Sequence, residues 1–285
     1  MNAILDPGID HLRQWIGCTQ EAEELLTPRV AGLFEAVLGS EQTEKRDGDT
    51  GSPGIHWCIT QPIAPMSALG QDGHPGRGGF LPPVSLPRRM WAGSALEIKD
   101  DIRVGDKVRR ISRVEDIVLK EGRSGPLCFV TVAHDFSTHR GIAVRDQQTI
   151  VYRGTGEPPA AKTGGVPAGT DSTARETRNA DAVLLFRYSA ATSNTHRIHY
   201  DRRYCTEVEN YPGLVVHGPL QGTYLWNLAA KLNGRAPARF EFRGVAPLFD
   251  GQHFTLHSDE AEDGTMQLWV ANREGTITTK ATAGW

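Results

Sequence analysis

Cysteine is scarce and scattered, since the 285 residues hold only four, Cys18, Cys58, Cys128 and Cys205. They have neither the close spacing of a zinc knuckle nor the density of a disulfide framework, and read as isolated thiols in a reducing compartment. An excess of one charge is also missing. A formal net charge of -3 offers no attraction to phosphate backbones or anionic lipid, which disfavours nucleic acid and membrane as partners. No apolar run approaches the ~18 residues of a membrane span. Residues 1–10 carry neither the basic-then-apolar order of a secretory signal nor the arginine enrichment of a transit peptide. These features together lead us to expect a cytoplasmic protein.

What is present is ordinary globular composition, 39% hydrophobic and 23% charged, in a chain long enough for two domains of ~100–200 residues each. The spacing predicts a helix over Pro28–Leu38, with Thr27 to cap it, proline at its first position and Gly39 to end it. A polar loop over residues 40–54 leads to a short strand expected at Ile55–Ile63, then to Gly73–Pro83, too rich in glycine and proline for either regular element. Long antiparallel strands with hairpin turns are expected at Ala95–Ile98, Lys107–Leu119, Leu127–Asp135 and Ile142–Tyr152. Thr155–Arg178 has the composition of a linker. The second half then reads as a strand at Val183–Tyr188, a polar loop over Ser189–His199 and a helix at about Pro219–Leu232. Strands follow at Ala238–Arg243, His253–Ser258, Met266–Ala271 and Thr276–Ala281. A weak repeat links Leu96-Glu97-Ile98 before Val104-Gly105-Asp106 to Phe240-Glu241-Phe242 before Phe249-Asp250-Gly251. Each half therefore reads as a helix wrapped by an antiparallel sheet.

Chemistry concentrates in Ser193-Asn194-Thr195-His196-Arg197-Ile198-His199-Tyr200-Asp201 and in Tyr211-Pro212-Gly213-Leu214-Val215-Val216-His217-Gly218-Pro219-Leu220. Histidine titrates near neutral pH and can give or take a proton. His196, His199 and Asp201 could alternatively form a metal pair with a carboxylate, although three such residues in a polar loop often bind nothing. His217 reads as a helix-entry residue bonded to local backbone. Gly218 stands where a helix begins, so its unpaired N–H, aided by the helix dipole, suits a developing oxyanion.

The two segments resemble the MaoC-like hydratases and dehydratases of the hot-dog fold, whose signature runs to Asn-Pro-aliphatic-His and is followed by Pro-Gly-x-x-x-His-Gly. The loop resembles in particular the mesaconyl-C4-CoA hydratases and the mitochondrial-type hydroxyacyl-thioester dehydratases type 2. The likeness continues through Gly78-Gly79-Phe80-Leu81-Pro82-Pro83, Pro87-Arg88-Arg89-Met90-Trp91-Ala92-Gly93 and Glu121-Gly122-Arg123-Ser124-Gly125-Pro126-Leu127.

The resemblance implies an α+β fold, a tandem (double) hot-dog. Its parts would be an amino-terminal degenerate hot-dog over residues 1–154 that shapes the acyl pocket, a linker over 155–178, and a catalytic MaoC-like hot-dog over 179–285. It implies a hydro-lyase adding water to an acyl thioester or removing it, in fatty acid metabolism or on mesaconyl-C4-CoA. His199 falls on the family's catalytic histidine and Gly218 on its oxyanion amide. Asn194 falls where the family has an aspartate, and an amide cannot act as a base; Asn194 then orients water or the substrate hydroxyl, or Asp201 supplies the carboxylate. Arg88, Arg89 and Arg197 are candidates for a phosphate or substrate carboxylate. Phe80, Trp91 and Trp226 are candidates for lining the acyl pocket. No metal or separate cofactor is expected, coenzyme A or acyl carrier protein being part of the substrate. A homo-oligomer through the hot-dog sheets is compatible with the resemblance. The competing functions are a hot-dog acyl-CoA thioesterase and a non-catalytic acyl-thioester binding module.

Overall fold

A computed structural model of the chain describes residues 8–122, 125–155, 172 and 174–285. In the first half, Lys107–Gly122 (β3), Gly125–Thr138 (β4) and Gly141–Arg153 (β5) form a meander whose side chains alternate between core and solvent. Thr19–Leu25 (β1) pairs with β3 on one side, and Arg88–Ile98 (β2) with β5 on the other. The second half repeats this plan: Ala174–Ala180 (β6) pairs with Gln252–Glu260 (β8). Met266–Asn272 (β9) and Ile277–Gly284 (β10) continue the meander, and Arg239–Gly244 (β7) closes it. The order β1-β3-β4-β5-β2 is matched by β6-β8-β9-β10-β7, and β2 pairs with β7 to make one ten-stranded antiparallel sheet. The repeated sequence segments lie on these inner strands, where Leu96 stands opposite Phe240.

Ile9–Arg13 (α1) is a short helix packed on β3. Pro28–Leu38 (α2) has the expected limits: Thr27 Oγ1 accepts from the Val30 N–H at 3.3 Å and Gly39 ends it at a φ of 84°. It packs on Ala182–Ala191 (α3). Gly218–Asn233 (α4) is the long helix, and its first nine residues are nearly all buried, as a helix enclosed by sheet requires. It contacts β7, β8, β9 and β10 and also β2 of the first half, so it ties the two halves into one core.

Three expectations are corrected. Ile55–Cys58 is a 3-10 turn rather than a strand, because Ile55, His56, Trp57 and Cys58 are all buried and no two-residue alternation is possible. Val183–Tyr188 lies inside α3 rather than in a strand, where the Asp181 carboxylate accepts from the Leu184 N–H at 2.8 Å and caps the helix. The expected linker ends too late, since Ala174–Ala180 is the edge strand β6; residues 156–171 and 173 of it lie outside the described residues. Strand β1 was not anticipated.

The seam between the halves is tight. A Cβ on Gly93 of β2 would stand 2.3 Å from the Phe242 carbonyl oxygen of β7. Gly93→Ala is therefore expected to destabilise the chain by about 1–3 kcal/mol, the range for forced overpacking, read as a lower urea midpoint with an unchanged slope. An unchanged midpoint would contradict this packing.

Candidate active site

After α3 the chain turns sharply, with Ser193 at a positive φ of 51°. The Asn194 N–H then donates to the Ser189 carbonyl at 2.9 Å, while Asn194 Oδ1 accepts from the His196 N–H at 3.1 Å. That second bond assigns the amide: Oδ1 meets the backbone donor, and Nδ2 is left for the cavity that Asn194 lines. Arg197–His199 makes one 3-10 turn. It places His199 Nδ1 2.7 Å from the Val215 carbonyl oxygen. A carbonyl can only accept, so the ring proton is on Nδ1 and the lone pair on Nε2. No hydrogen bond reaches Nε2 among the described residues, and the ring lines the cavity. Burial lowers the His199 pKa to about 3, against the raising effect of the Val215 bond and with a further lowering from His74.

His217 stacks on His199, with ring centroids 3.6 Å and planes 19° apart. Its Nε2 shares a 2.8 Å hydrogen bond with Ser189 Oγ of α3, not with the local backbone as expected, and its buried Nδ1 has no partner among the described residues. Full burial holds it well below the ordinary histidine range. Gly218 follows as the first residue of α4, lining the cavity, and no hydrogen bond to its N–H occurs among the described residues.

The first half contributes a turn that sequence reasoning took only as a shaped loop. Asp72 Oδ1 accepts from the His74 N–H at 3.0 Å, and Oδ2 lies 3.3 Å from His74 Nδ1. This turn is docked on the histidine loop: the Arg197 N–H donates to the Asp72 carbonyl at 2.9 Å and Thr195 Oγ1 donates to the Gly73 carbonyl at 2.5 Å. Gly73 has a φ of 88°, and a Cβ there would lie 2.1 Å from the Thr195 oxygen, so only glycine permits the approach. The His74 ring then meets His196 at 4.4 Å, and His196 meets His199 edge-on at 5.5 Å between centroids. The Asp-Gly-His spacing was the available signal. Burial lowers the pKa of both His74 and His196. For Asp72, burial raises the pKa, but the His74 hydrogen bond and the nearby Arg89 charge outweigh it and keep the group ionised.

The cavity between these elements has a volume of about 610 Å³, within the usual range for a small-ligand pocket. Phe80, Leu81, Trp91, Ile150 and Val216 give it an apolar wall. Trp226 is not among the lining residues and stacks instead on Phe240 in the core. Of the three candidate arginines only Arg89 lines the cavity, and it makes no ion pair among the described residues while its Nε is buried without a partner. Arg88 pairs with Glu209 at 2.9 Å, and Arg197 with Asp201 at 2.7 Å. Asp201 also accepts from the Tyr204 N–H at 3.0 Å and does not line the cavity, so it is not a substitute for the carboxylate lost at Asn194. Nor does Asp201 group with His196 and His199 as a metal pair. Donor atoms of Asp72, His74 and His196 do lie within 4.8 Å of one another, but the charges of Arg77 and Arg89 close to His74 oppose a cation there. Sequence reasoning also missed Gln221, whose Oε1 accepts from Thr278 Oγ1 at 2.6 Å and Thr279 Oγ1 at 2.9 Å, directing Nε2 elsewhere.

The model of the family "Hydroxyacyl-thioester dehydratase type 2" matches residues 54–250. Mesaconyl-C(4)-CoA hydratase of Chloroflexus aurantiacus is 43% identical over 248 residues, covering 85% of this chain and 86% of that one. Among solved structures, a MaoC-like dehydratase of Phytophthora capsici superposes with a TM-score of 0.70 at 14% identity, over 98% of this chain and 99% of that one. A Mycobacterium tuberculosis protein with a double hot-dog fold superposes with a TM-score of 0.58 at 13% identity, over 94% and 96%. The fold is thus a double hot-dog, and the protein is a hydro-lyase of acyl thioesters. The chain belongs to the hydroxyacyl-thioester dehydratase type 2 family.

Four imidazoles, those of His74, His196, His199 and His217, have pKa values lowered by burial. An unfolded chain binds their protons below about pH 6.5, whereas the folded chain does not, so stability is full above that pH and is lost as pH falls toward the lowered values. Between pH 6.5 and about 4.5 most carboxylates remain ionised, and His196, His199 and His217, the most strongly lowered, are each expected to contribute a slope approaching ~1.4 kcal/mol per pH unit. Urea unfolding across this window would read it; a stability independent of pH there would contradict the burial of neutral rings.

Proposed function

We propose that the chain hydrates an α,β-unsaturated acyl-CoA that carries a free carboxylate near its double bond, mesaconyl-C4-CoA being the best supported example, or catalyses the reverse dehydration. The observation that carries the reaction is the anchored His199 imidazole, whose Nε2 makes no hydrogen bond among the described residues and whose ring lines a cavity shared with Gly218 at the start of α4.

The chemistry follows from that geometry. Water held at His199 Nε2, with its oxygen accepting from Asn194 Nδ2, attacks the β-carbon. The double-bond electrons move onto the thioester oxygen, where the Gly218 amide and the α4 dipole stabilise the enolate. The proton taken by His199 returns to the α-carbon as the enolate collapses. A ring that is neutral in the resting protein suits the first step. Of the three candidate arginines Arg89 is the one that makes no ion pair among the described residues; it lines the cavity beside Trp91 and would pair with the free carboxylate of the substrate. The substrate class rests on Arg89 together with the likeness to the Chloroflexus hydratase.

Two further features bear on where the reaction takes place. Among the described residues no helix is long and apolar enough to cross a membrane. The four cysteines are free thiols, in keeping with a reducing compartment such as the cytoplasm.

His199→Ala is expected to lower turnover by roughly two to four orders of magnitude, followed as the change in conjugated-thioester absorbance without release of free thiol. Near-normal turnover would remove His199 from the mechanism, and thiol release would indicate thioester hydrolysis instead. Arg89→Ala is expected to lower kcat/KM at least about tenfold more for mesaconyl-C4-CoA than for crotonyl-CoA, the loss of one charge-assisted pair. Equal losses on both substrates would contradict carboxylate binding by Arg89.

A further inference from the structure

Water that attacks carbon through its oxygen must point both hydrogens elsewhere, and the cavity therefore needs two acceptors beside it. His199 Nε2 is one. Asn194 is a weaker candidate for the other, because its oxygen already accepts the His196 N–H and its Nδ2 is a donor. Gln221 Oε1 is likewise occupied, by two threonine hydroxyls. Three imidazoles line the cavity, those of His74, His196 and His199, and two of them have the far ring nitrogen anchored. For His199 the anchor is the Val215 carbonyl; for His74 it is the Asp72 carboxylate. An ionised carboxylate at Nδ1 fixes the tautomer, makes Nε2 the acceptor and strengthens it as a base. His196 has no such anchor among the described residues and touches both of the other rings.

We propose that the Asp72–His74 pair of the first half is a further catalytic element, in which His74 Nε2 accepts the second O–H of the reacting water and so takes over the task a carboxylate at position 194 would perform. The proposal rests on the hydro-lyase reading of the His199 site. In the hydration direction the water oxygen bonds to the β-carbon and one proton passes to His199 Nε2 and on to the α-carbon. The other O–H bond stays intact and remains hydrogen-bonded to His74 in the product hydroxyl. In dehydration His74 holds that hydroxyl while His199 moves the α-proton onto it and water leaves. The first half thereby supplies a reacting-site group as well as a pocket wall. Docking of the turn through Gly73 on Thr195 and of Asp72 under the Arg197 amide sets His74 against the His196–His199 loop.

The test is a comparison of His74→Leu in the natural chain and in an Asn194→Asp background, with kcat and KM measured on one enoyl-CoA and His199→Ala run alongside. In the natural chain His74→Leu is expected to lower kcat about tenfold to a hundredfold while KM changes less than about threefold, the signature of an interaction made in the transition state. With aspartate at 194, one carboxylate oxygen can keep the turn bond while the other accepts from water, so the same His74→Leu change is expected to lower kcat at least about fivefold less. A His74→Leu chain within about twofold of normal, or an equal loss in both backgrounds, overturns the proposal. Should His74→Leu fail to fold, Asp72→Asn carries the test: it keeps the shape of the turn and removes the anchoring charge, and an unchanged kcat overturns the proposal. Loss of activity on chelation with recovery on adding zinc would assign the cluster to a metal and overturn it as well. A natural chain that hydrates no enoyl-CoA would sink both readings, whereas a fully active His74→Leu beside an inactive His199→Ala sinks this one alone.

Discussion

The hydrogen bond from His199 Nδ1 to the Val215 carbonyl is the contact on which the rest of the site depends. It settles the tautomer of a buried ring and leaves one lone pair for the cavity. Its 2.7 Å length is made possible by two short stretches of chain, the 3-10 turn at Arg197–His199 and the approach of residues 214–217 to α4, which are tied by the Val215 N–H to the Ile198 carbonyl at 3.0 Å. His217, the residue just before α4, then stacks on the same ring and is itself held by Ser189 of α3. The imidazole is therefore clamped on its face and at its far nitrogen, and its Nε2 edge is left without a hydrogen bond among the described residues.

The ten-stranded sheet explains why such a site can be buried and still reached. Pairing β2 with β7 places the α4 amino terminus against the inner strand of the first half, so that Arg89 and Trp91 of β2 face the same cavity as Gly218. A single five-stranded half would leave that strand edge open to solvent. The first half lacks a counterpart of the His199 loop, yet its residues Gln71, Asp72 and Gly73 each accept a hydrogen bond from the loop at their carbonyl oxygens. The two halves share one strand plan, but the long helix that begins at Gly218 belongs to one, and the other gives wall and turn.

Much of this was legible in the residues. The α2 limits followed from Thr27, Pro28 and Gly39, whose roles are local, and the β3–β5 meander followed from two-residue alternation. His199, Asn194 and Gly218 were singled out from two short patterns, Ser193–Asp201 and Tyr211–Leu220, and all three line the cavity. What escaped depends on partners distant in sequence. Arg88, Arg89 and Arg197 look alike on paper, and only Glu209 and Asp201, seated beside two of them, set Arg89 apart. His74 lies more than 120 residues before His196, and nothing local says that Gly73 lets them meet. Strand β6 escaped because an edge strand is half-exposed and polar, and its sequence, Ala-Arg-Glu-Thr-Arg-Asn-Ala, has a linker's composition.

The central claim concerns the charge and tautomer of one ring. Nitrogen-15 NMR of the uniformly labelled protein near pH 7, with the His199 signals assigned by comparison with His199→Gln, reports both directly. The account predicts a neutral imidazole with the proton on Nδ1 and an unprotonated Nε2. A cationic ring, or a proton on Nε2 instead, would contradict it.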